Sequence, residues 1–175
     1  MLAGGKATRL GGVAKHLLRV GGDTIFERQI RAIAPLVDAV IVSGPPIAGY
    51  RNVADAARDV GPLAGIAAGL AACTTSWLLV VAGDMPNVSH DLIAAMLARR
   101  APDIDAIGIR LGTLPQPLLC VLHVRTREVV DRCVAAGRYK ASGVLTDEGL
   151  RVAWLEDVEP FLLANINTPD DLAEH

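Results

Sequence analysis

Short aliphatic runs alternate with longer amphipathic segments along most of this 175-residue chain. The strand candidates are residues 39–43, 77–82 and 106–109. Each run is almost continuously apolar, which is typical of parallel strands that helices cover on both faces. The alternation therefore predicts an α/β fold, a three-layer α/β/α sandwich around a mostly parallel, Rossmann-like sheet.

Helix start signals stand between these strand candidates. Thr24 and Glu27 have the spacing of a capping box, Pro62 follows a glycine at a helix start, and Ser89 is placed as an N-cap. The predicted helices run from residue 24 to about residue 36, from residue 61 to about residue 73, and over residues 91–99. After residue 110 the alternation weakens. Residues 118–124 form a strand candidate without the usual partner helix, and we expect an antiparallel strand there.

The length suits a single domain that buries an ordinary core without disulfide or metal staples. Hydrophobic residues make up 51% of the chain, yet no run approaches the roughly 20 uninterrupted apolar residues of a bilayer-spanning helix. The first residues lack the basic region, apolar stretch and cleavage site of a secretory signal. We therefore expect a soluble, cytoplasmic protein with no membrane contact.

Charge and aromatic content argue against a nucleic-acid-binding protein. The net charge is −2 without blocks of like charge, and aromatic residues make up 3% of the chain. A basic footprint and stacking platforms are therefore both missing. A small anionic ligand stays open, because Lys6, Arg9 and Lys15 form a local basic cluster.

The three cysteines, Cys73, Cys120 and Cys133, are odd in number, far apart and set among apolar residues. We expect buried free thiols in place of a disulfide or metal framework. The histidines likewise show no metal-ligand spacing.

A glycine-rich stretch at residues 2–15, LAGGKATRLGGVAK, carries the first chemical signal. Its glycines let backbone amides approach an anion closely, and its three basic side chains supply charge for several phosphates. The spacing matches neither the Rossmann dinucleotide fingerprint nor the Walker A loop. A nucleoside triphosphate fits this stretch better than a dinucleotide does, and a flexible N-terminal turn is the structural alternative.

Asp84 follows the strongest strand candidate, in the segment Gly83-Asp84-Met85-Pro86. Open α/β sheets bind ligands at the carboxyl ends of their central strands, and a carboxylate there is placed to hold Mg²⁺ against triphosphate oxygens. The alternative is an aspartate that only caps a helix or stabilises a turn.

Asp55 precedes the segment Gly61-Pro62-Leu63-Ala64-Gly65, where a helix start frees backbone donors. Its carboxylate is able to accept hydrogen bonds from a purine edge or a ribose. Taken by itself this segment is weak support for a binding site.

Asn165 and Asn167 alternate near the end of the chain. Side chains two apart on an extended segment share a face, so both asparagines are able to approach a metal or a phosphate. Thr168 with Asp171 three residues on is explained as a helix N-cap.

Joined in this order, these pieces resemble the molybdenum cofactor guanylyltransferase family, within the broader glycine-rich-loop nucleotidyltransferases. The resemblance runs from Leu2 to Leu172 and is carried by the motifs LAGGKxxRLGG, GPLAG, GDMP and NINTPDDL. It implies an α/β/α nucleotide-binding domain. The implied reaction joins the GMP part of GTP to the terminal phosphate of molybdopterin, or its molybdenum form, and releases pyrophosphate with Mg²⁺ as cofactor.

The resemblance also implies roles for single residues. Residues 2–5 correspond to the guanine and phosphate loop, Lys15 to a lysine that contacts phosphates, Asp55 to an acidic residue that helps hold the nucleotide, and Asp84 to the Mg²⁺ ligand. The candidate catalytic residues are Arg9, Lys15 and Asp84, and the candidate metal ligands are Asp84 and Asn167. The candidate nucleotide-binding residues are Leu2, Ala3, Gly4, Gly5, Lys15, Asp55, Gly61, Pro62, Leu63 and Asp84.

Three features depart from the family pattern. Ala14 stands where the family usually has an aspartate before the loop lysine, and Ser43 stands where an asparagine commonly follows the second strand. Relatives also carry several apolar residues before the first motif, where this sequence has Met1. A misplaced start and a shortened sheet are both open.

Two neighbouring functions are open as well. A relative that uses CTP, or that activates another phosphorylated metabolite, would share these motifs, and the GPLAG segment favours guanine by resemblance alone. A nucleotide-binding accessory protein that hands cofactor to a molybdoenzyme without catalysis is the second alternative. Molybdoenzyme maturation proteins are candidate partners in either case.

The acceptor side is expected in residues 101–175, and the nucleotide side in residues 1–100. This acceptor half contains Gln116, Pro117 and Leu118. It also contains Arg138 and Lys140, which could contact the phosphate of the acceptor. A solvated basic turn that opens a helix explains Arg138 and Lys140 at least as well.

Overall fold

The computed structural model describes residues 1–4, 14–54, 61–146, 149–168 and 171–172. Its helices are α1 (Ile25–Ile33), α2 (Pro62–Ala72), α3 (His90–Leu97), α4 (Arg127–Ala135) and α5 (Ser142–Thr146). Its strands are β1 (Arg19–Val20), β2 (Asp23–Thr24), β3 (Ile41–Ser43), β4 (Arg51–Val53), β5 (Trp77–Val81), β6 (Ala106–Leu111), β7 (Leu114–His123) and β8 (Val152–Leu155).

A mixed sheet runs through the middle of the fold in the order β5-β7-β6-β8. β7 runs antiparallel to both of its neighbours, whereas β6 and β8 are parallel. β3 and β4 form a parallel pair, and Leu2 bridges Ser43 and Ala82 in parallel. Residues 1–3 therefore connect the β3–β4 pair to β5, and the expectation of a mostly parallel sheet with one antiparallel strand is confirmed.

Alternate side chains of β5 enter two apolar layers. Val81 packs with Ile93 of α3 on one face of the sheet. Val80 packs with Leu70 of α2 and Val130 of α4 on the other face. Helices thus cover the sheet on both faces, and the predicted three-layer α/β/α sandwich is confirmed.

The predicted helix starts are confirmed by their caps. Thr24 Oγ1 accepts a hydrogen bond from the Glu27 amide at 3.1 Å, and the Glu27 carboxylate accepts one from the Thr24 amide at 2.7 Å. A 3₁₀ turn, Ala34–Leu36, extends α1 to the predicted end. Gly61 is the N-cap of α2, and Ser89 caps α3 through the Leu92 amide.

Four β-strands, β1, β2, β4 and β8, and the helix α4 were missed in the sequence. The Arg-Asn-Val composition of β4 does not resemble an apolar strand. β7 also begins four residues before the predicted strand, because Pro115 and Pro117 interrupt the expected pattern.

The cysteines are free thiols, as predicted. Cys120 and Cys133 are buried, and burial raises the pKa of the Cys120 thiol to about 12. Cys73 is half-buried, so the expectation of burial is wrong for this residue, which lies just beyond the end of α2. No helix in the described parts of the chain is long and apolar enough to cross a membrane.

Candidate active site

The N-terminal segment and the end of β5 lie side by side at the carboxyl edge of the sheet. The Leu2 amide donates to Val81 O at 2.8 Å, and the Gly83 amide donates to Leu2 O at 2.9 Å. On the other side, the Ala3 amide donates to Ser43 O at 2.7 Å. These bonds hold the beginning of the glycine-rich stretch beside the turn that carries Asp84.

Close packing explains the glycine before Asp84. A Cβ atom on Gly83 would lie 2.9 Å from Leu2 O and 3.3 Å from the Cβ of His16. Gly44 faces a similar restriction, since its φ is +121° and a Cβ would meet the Gly4 amide nitrogen at 2.7 Å. Only glycine lets the backbones of these segments approach so closely.

Lys15 joins two candidate metal ligands. Its Nζ lies 2.9 Å from Asp84 Oδ2 and 2.6 Å from Asn167 Oδ1. Residues 15, 84 and 167 are far apart in sequence, so the fold itself assembles this group. The Lys15 and Asp84 side chains are each 18% exposed, which leaves the pair accessible to a ligand yet partly shielded from water.

Asp84 has unused capacity to bind a cation. Its Oδ1 atom is buried and has no hydrogen-bond partner among the described residues. Leaving a buried carboxylate oxygen unpaired costs free energy, so such an atom in a cleft calls for a missing partner. A divalent cation meets that requirement, because Mg²⁺ prefers carboxylate and amide oxygens together with phosphate oxygens.

The backbone beyond Asp84 brings Asn167 into place. The Ile166 amide donates to Asp84 O at 2.9 Å, and Ile166 itself is fully buried. The Asp171 carboxylate accepts bonds from the Asn167 and Thr168 amides, and Thr168 Oγ1 accepts one from the Asp171 amide. The predicted cap at Thr168 therefore also fixes the backbone of Asn167. Among the described residues, Asn165 does not join Lys15 or Asp84, although it shares the predicted motif.

A cleft of about 370 Å³ opens beside this group. Its walls hold little side-chain bulk and few charged groups other than Asp84. The lining residues are Leu2, Gly4, Ser43, Gly61, Pro62, Gly65, Ala82, Gly83, Asp84 and Leu118. Such a glycine-walled cleft gives a flat ligand close access to the backbone.

The start of α2 forms one wall of the cleft. Gly61 has a φ of +128°, and a Cβ there would lie 2.9 Å from Tyr139 O. The Leu63 amide donates to that same carbonyl at 3.3 Å. The Leu63 side chain is fully buried in the core, so the structure places the candidate residues Gly61 and Pro62 at the cleft and turns Leu63 away from it.

His16 was not singled out in the sequence as a site residue, although it follows Lys15 directly. It is 2% exposed, packs against Gly83 and lies edge-on to Phe26. Burial lowers its pKa, an effect that a hydrogen bond to the Ala3 backbone partly opposes. His16 thus supports both the N-terminal segment and the Asp84 turn.

Three predicted site residues, Gly5, Arg9 and Asp55, lie outside the described residues. Ala3 is described, but its side chain is buried beside Val42. The Ala3 backbone amide instead holds the N-terminal segment beside β3, through its bond to Ser43 O.

The chain is similar to known proteins over its full length. The family model for the MobA-like NTP transferase domain matches residues 1–152. A molybdenum cofactor guanylyltransferase from Pseudomonas paraeruginosa is 36% identical over 100% of this chain and 92% of its own length.

The chain belongs to the MobA-like NTP transferase family.

Two solved structures extend the comparison. Molybdopterin-guanine dinucleotide biosynthesis protein A from Archaeoglobus fulgidus is 25% identical, with a TM-score of 0.80 over 99% of this chain and 93% of that one. 2-C-methyl-D-erythritol 4-phosphate cytidylyltransferase from Thermus thermophilus shares the fold at 20% identity, with a TM-score of 0.71 over 91% of each chain.

Membership of the MobA-like family makes the chain a nucleotidyltransferase. Among the described residues, no three His, Cys, Asp or Glu side chains come together as a metal site. Among the described residues, Asp84 and the Asn167 amide oxygen are the candidates to hold a divalent cation together with phosphates of the substrate, a donor set that suits Mg²⁺.

A second cavity, of about 310 Å³, lies at the opposite edge of the sheet. Val40 before β3 and Trp77 at the start of β5 are among its lining residues. Among the described residues that line it, none is a candidate catalytic or metal-binding residue.

Proposed function

We propose that this protein transfers GMP from GTP to a molybdopterin-type molybdenum cofactor, forming the guanine dinucleotide cofactor and releasing pyrophosphate. The observation that carries the proposal is the group of Lys15, Asp84 and Asn167 beside a glycine-walled cleft. Relatives that match along the whole chain are named molybdenum cofactor guanylyltransferases. Those names support guanine as the base and the molybdenum cofactor as the acceptor.

The proposed chemistry is an in-line substitution at the α-phosphorus of GTP. An oxygen of the acceptor's terminal phosphate forms the new bond, and the bond from the α-phosphorus to the oxygen that bridges it to the β-phosphate breaks. Both reactants are anionic, so positioning and charge neutralisation matter more than a protein nucleophile. Lys15 supplies a positive charge at the cleft, and Arg9 supplies a second in this proposal.

Asp84 and Asn167 are proposed to hold Mg²⁺. When bound, the cation supplies charge neutralisation for the triphosphate oxygens. The unpartnered Oδ1 atom of Asp84 supports this role. Lys15 already bonds to both residues, so its ammonium holds their oxygens together on one side of the cleft.

The wall around Gly61 and the loop at Gly4 are proposed to receive the nucleotide. Gly61, Pro62 and Gly65 give that wall a surface without long side chains, which suits a planar base or a ribose. Residues 1–100 supply this nucleotide side in the proposal, with Asp55 as a further contact to the ribose or base.

The acceptor is proposed to enter from residues 101–175. Leu118 lines the cleft, and Tyr139 is bonded to the start of α2 through the Leu63 amide. The flanking residues, Arg138 and Lys140, are exposed. A basic segment fixed at the rim of the cleft is well placed to meet the acceptor's phosphate.

A CTP-dependent transfer is the second candidate, because a cytidylyltransferase shares this fold. The two are separated by thermal unfolding with Mg²⁺ and each of GTP, CTP, ATP and UTP, since a ligand that binds the native state stabilises it by mass action. GTP should raise the melting temperature most. An equal or larger rise with CTP would move the assignment to cytidylyl transfer.

A further inference from the structure

A glutamine is buried in the core directly behind the Asp84 turn. Gln29 lies in α1 and is fully buried. Its Nε2 donates hydrogen bonds to Ala82 O at 2.7 Å and to Met85 O at 2.9 Å. These two carbonyls stand on either side of Gly83 and Asp84, so one side chain holds both ends of the turn.

The hydrogen bonds fix the orientation of this amide. Two carbonyl acceptors require the NH₂ group, so the Oε1 atom must point the other way. That oxygen is buried without a hydrogen-bond partner among the described residues. A buried unpaired acceptor is unfavourable, and an apolar side chain of similar length would fill the space without that penalty. A role in core packing alone therefore does not explain Gln29.

Arg28, the preceding residue of α1, also bonds to the segment that carries Asp84. Arg28 Nε donates to Pro86 O at 3.0 Å. Together, Arg28 and Gln29 bind three carbonyls between Ala82 and Pro86. α1 is itself held at its start by the Thr24 capping box, so the turn is attached to a fixed element.

We propose that Gln29 is a positioning residue that holds the Asp84 turn in the conformation that binds the divalent cation. This inference rests on the proposed function, which places the cation at Asp84. Gly83 contributes no side chain to stabilise the turn, and the Asp84 carboxylate is committed to Lys15 on one oxygen. The carbonyls of Ala82 and Met85 on either side of Asp84 are therefore, together with the backbone bonds to Leu2 and Ile166, points from which its position is set. Outer residues of this kind commonly orient the ligands of a metal.

The test compares Mg²⁺ binding in four variants with the parent protein. Gln29→Met keeps the length of the side chain and removes the donor. Gln29→Asn keeps a donor but is one methylene shorter, so it can reach one carbonyl and is the fallback where Gln29→Met fails to fold. Val130→Ala is the control, because it weakens the core on the opposite face of the sheet. Asp84→Asn reports on the cation site itself.

The readout is the apparent Mg²⁺ dissociation constant at saturating GTP, from the Mg²⁺-dependent rise in melting temperature and from titration with Mn²⁺ followed by electron paramagnetic resonance. We expect Gln29→Met to weaken the cation roughly 10- to 100-fold, with a smaller loss in Gln29→Asn. Val130→Ala should lower the melting temperature but bind Mg²⁺ as the parent does.

Two results would overturn the inference in different ways. If Asp84→Asn loses the cation while Gln29→Met binds it as tightly as the parent, the cation site stands and Gln29 has no positioning role. If Asp84→Asn also binds the cation as the parent does, the proposed cation site is wrong and the inference about Gln29 falls with it. If Gln29→Met and Val130→Ala lose the same amount of Mg²⁺ affinity, Gln29 acts only through the stability of the core and has no positioning role.

Discussion

At the scale of single residues, Asp84 is the group on which the proposed chemistry depends most. One of its oxygens pairs with Lys15 and the other is buried without a partner in the described structure. Asp84→Asn keeps the shape of the side chain and removes its charge. We expect turnover to be lost while the melting temperature of the ligand-free protein changes little, and unchanged turnover would remove Asp84 from the mechanism.

Lys15 provides a second test at this scale. Lys15→Ala should weaken GTP binding by about 1.5–3 kcal/mol, the contribution of one charge-assisted hydrogen bond. Titration calorimetry with GTP and Mg²⁺ measures the loss. Arg31→Ala is the matched control, because it removes an exposed ion pair with Asp23 and neither residue lines the cleft. If Lys15→Ala binds GTP as tightly as the parent does, Lys15 does not contact the triphosphate and bonds to Asp84 and Asn167 alone.

Ala14 is one of the three features expected from the sequence to depart from the family pattern. It is half-buried and accepts a hydrogen bond from the Leu17 amide, directly before the 3₁₀ turn that carries Lys15. A carboxylate at this position would be able to orient Lys15 or help to place the cation. We expect Ala14→Asp to raise kcat at saturating GTP, and a loss of activity would show that this loop has a different arrangement.

At the scale of secondary-structure elements, the contact between the N-terminal segment and the end of β5 sets the site. Gly83→Ala would place a methyl group 2.9 Å from Leu2 O, so the two segments must separate. We expect a loss of stability of about 1–3 kcal/mol, as for other overpacked sites, together with a loss of transferase activity. Chemical denaturation and the transfer assay measure the two effects.

Gly69→Ala is the control for that prediction. Gly69 lies in α2, where alanine favours the helix by about 1 kcal/mol. A Cβ atom on Gly69 would lie 3.2 Å from Cδ2 of Leu78, at the flexible end of that side chain. The substitution should leave activity unchanged. If Gly83→Ala behaves in the same way, the close approach at Leu2 is not needed for the site.

Local signals in the sequence predicted the elements that have strong caps or continuous apolar runs. The Thr24 box, the Ser89 cap and the apolar run of β5 are examples, because each depends on neighbours within a few residues. β4 could not be predicted in that way, since two of its three residues are polar and it is defined by its pairing with β3.

The same reasoning explains which parts of the site could be predicted. Asp84 and the glycine-rich stretch could be selected as candidates because each stands at a recognisable strand end or motif, although residues 5–13 of the stretch lie outside the described residues. The bond between Lys15 and Asn167 joins residues 152 positions apart, and the bonds from Gln29 to the Asp84 turn cross the layers of the fold. Gln29 is a polar residue among the apolar positions of α1, and this pattern was the available signal that it has a special role. The pattern did not indicate that its partners are the Ala82 and Met85 carbonyls.

At the scale of the whole molecule, the sheet brings distant segments to one edge. The bridges of Leu2 to Ser43 and Ala82 place the N-terminal stretch between β3 and β5, and the segment after β8 returns to Asp84 through Ile166. The cleft therefore depends on residues from the start, the middle and the end of the chain. Family membership fixes the reaction type as nucleotidyl transfer, whereas the base and acceptor belong to the proposal.

The most direct test of the account follows a label from GTP into product. The purified protein is incubated with Mg²⁺, molybdopterin-type cofactor and GTP labelled on either the α- or the γ-phosphorus, with Asp84→Asn as the inactive control. The account predicts that the α-label enters the dinucleotide cofactor, that the γ-label is recovered in pyrophosphate, and that the control does neither. The account would be contradicted if the α-label of GTP does not enter the cofactor, whether the protein transfers CMP from CTP instead or transfers no nucleotide at all.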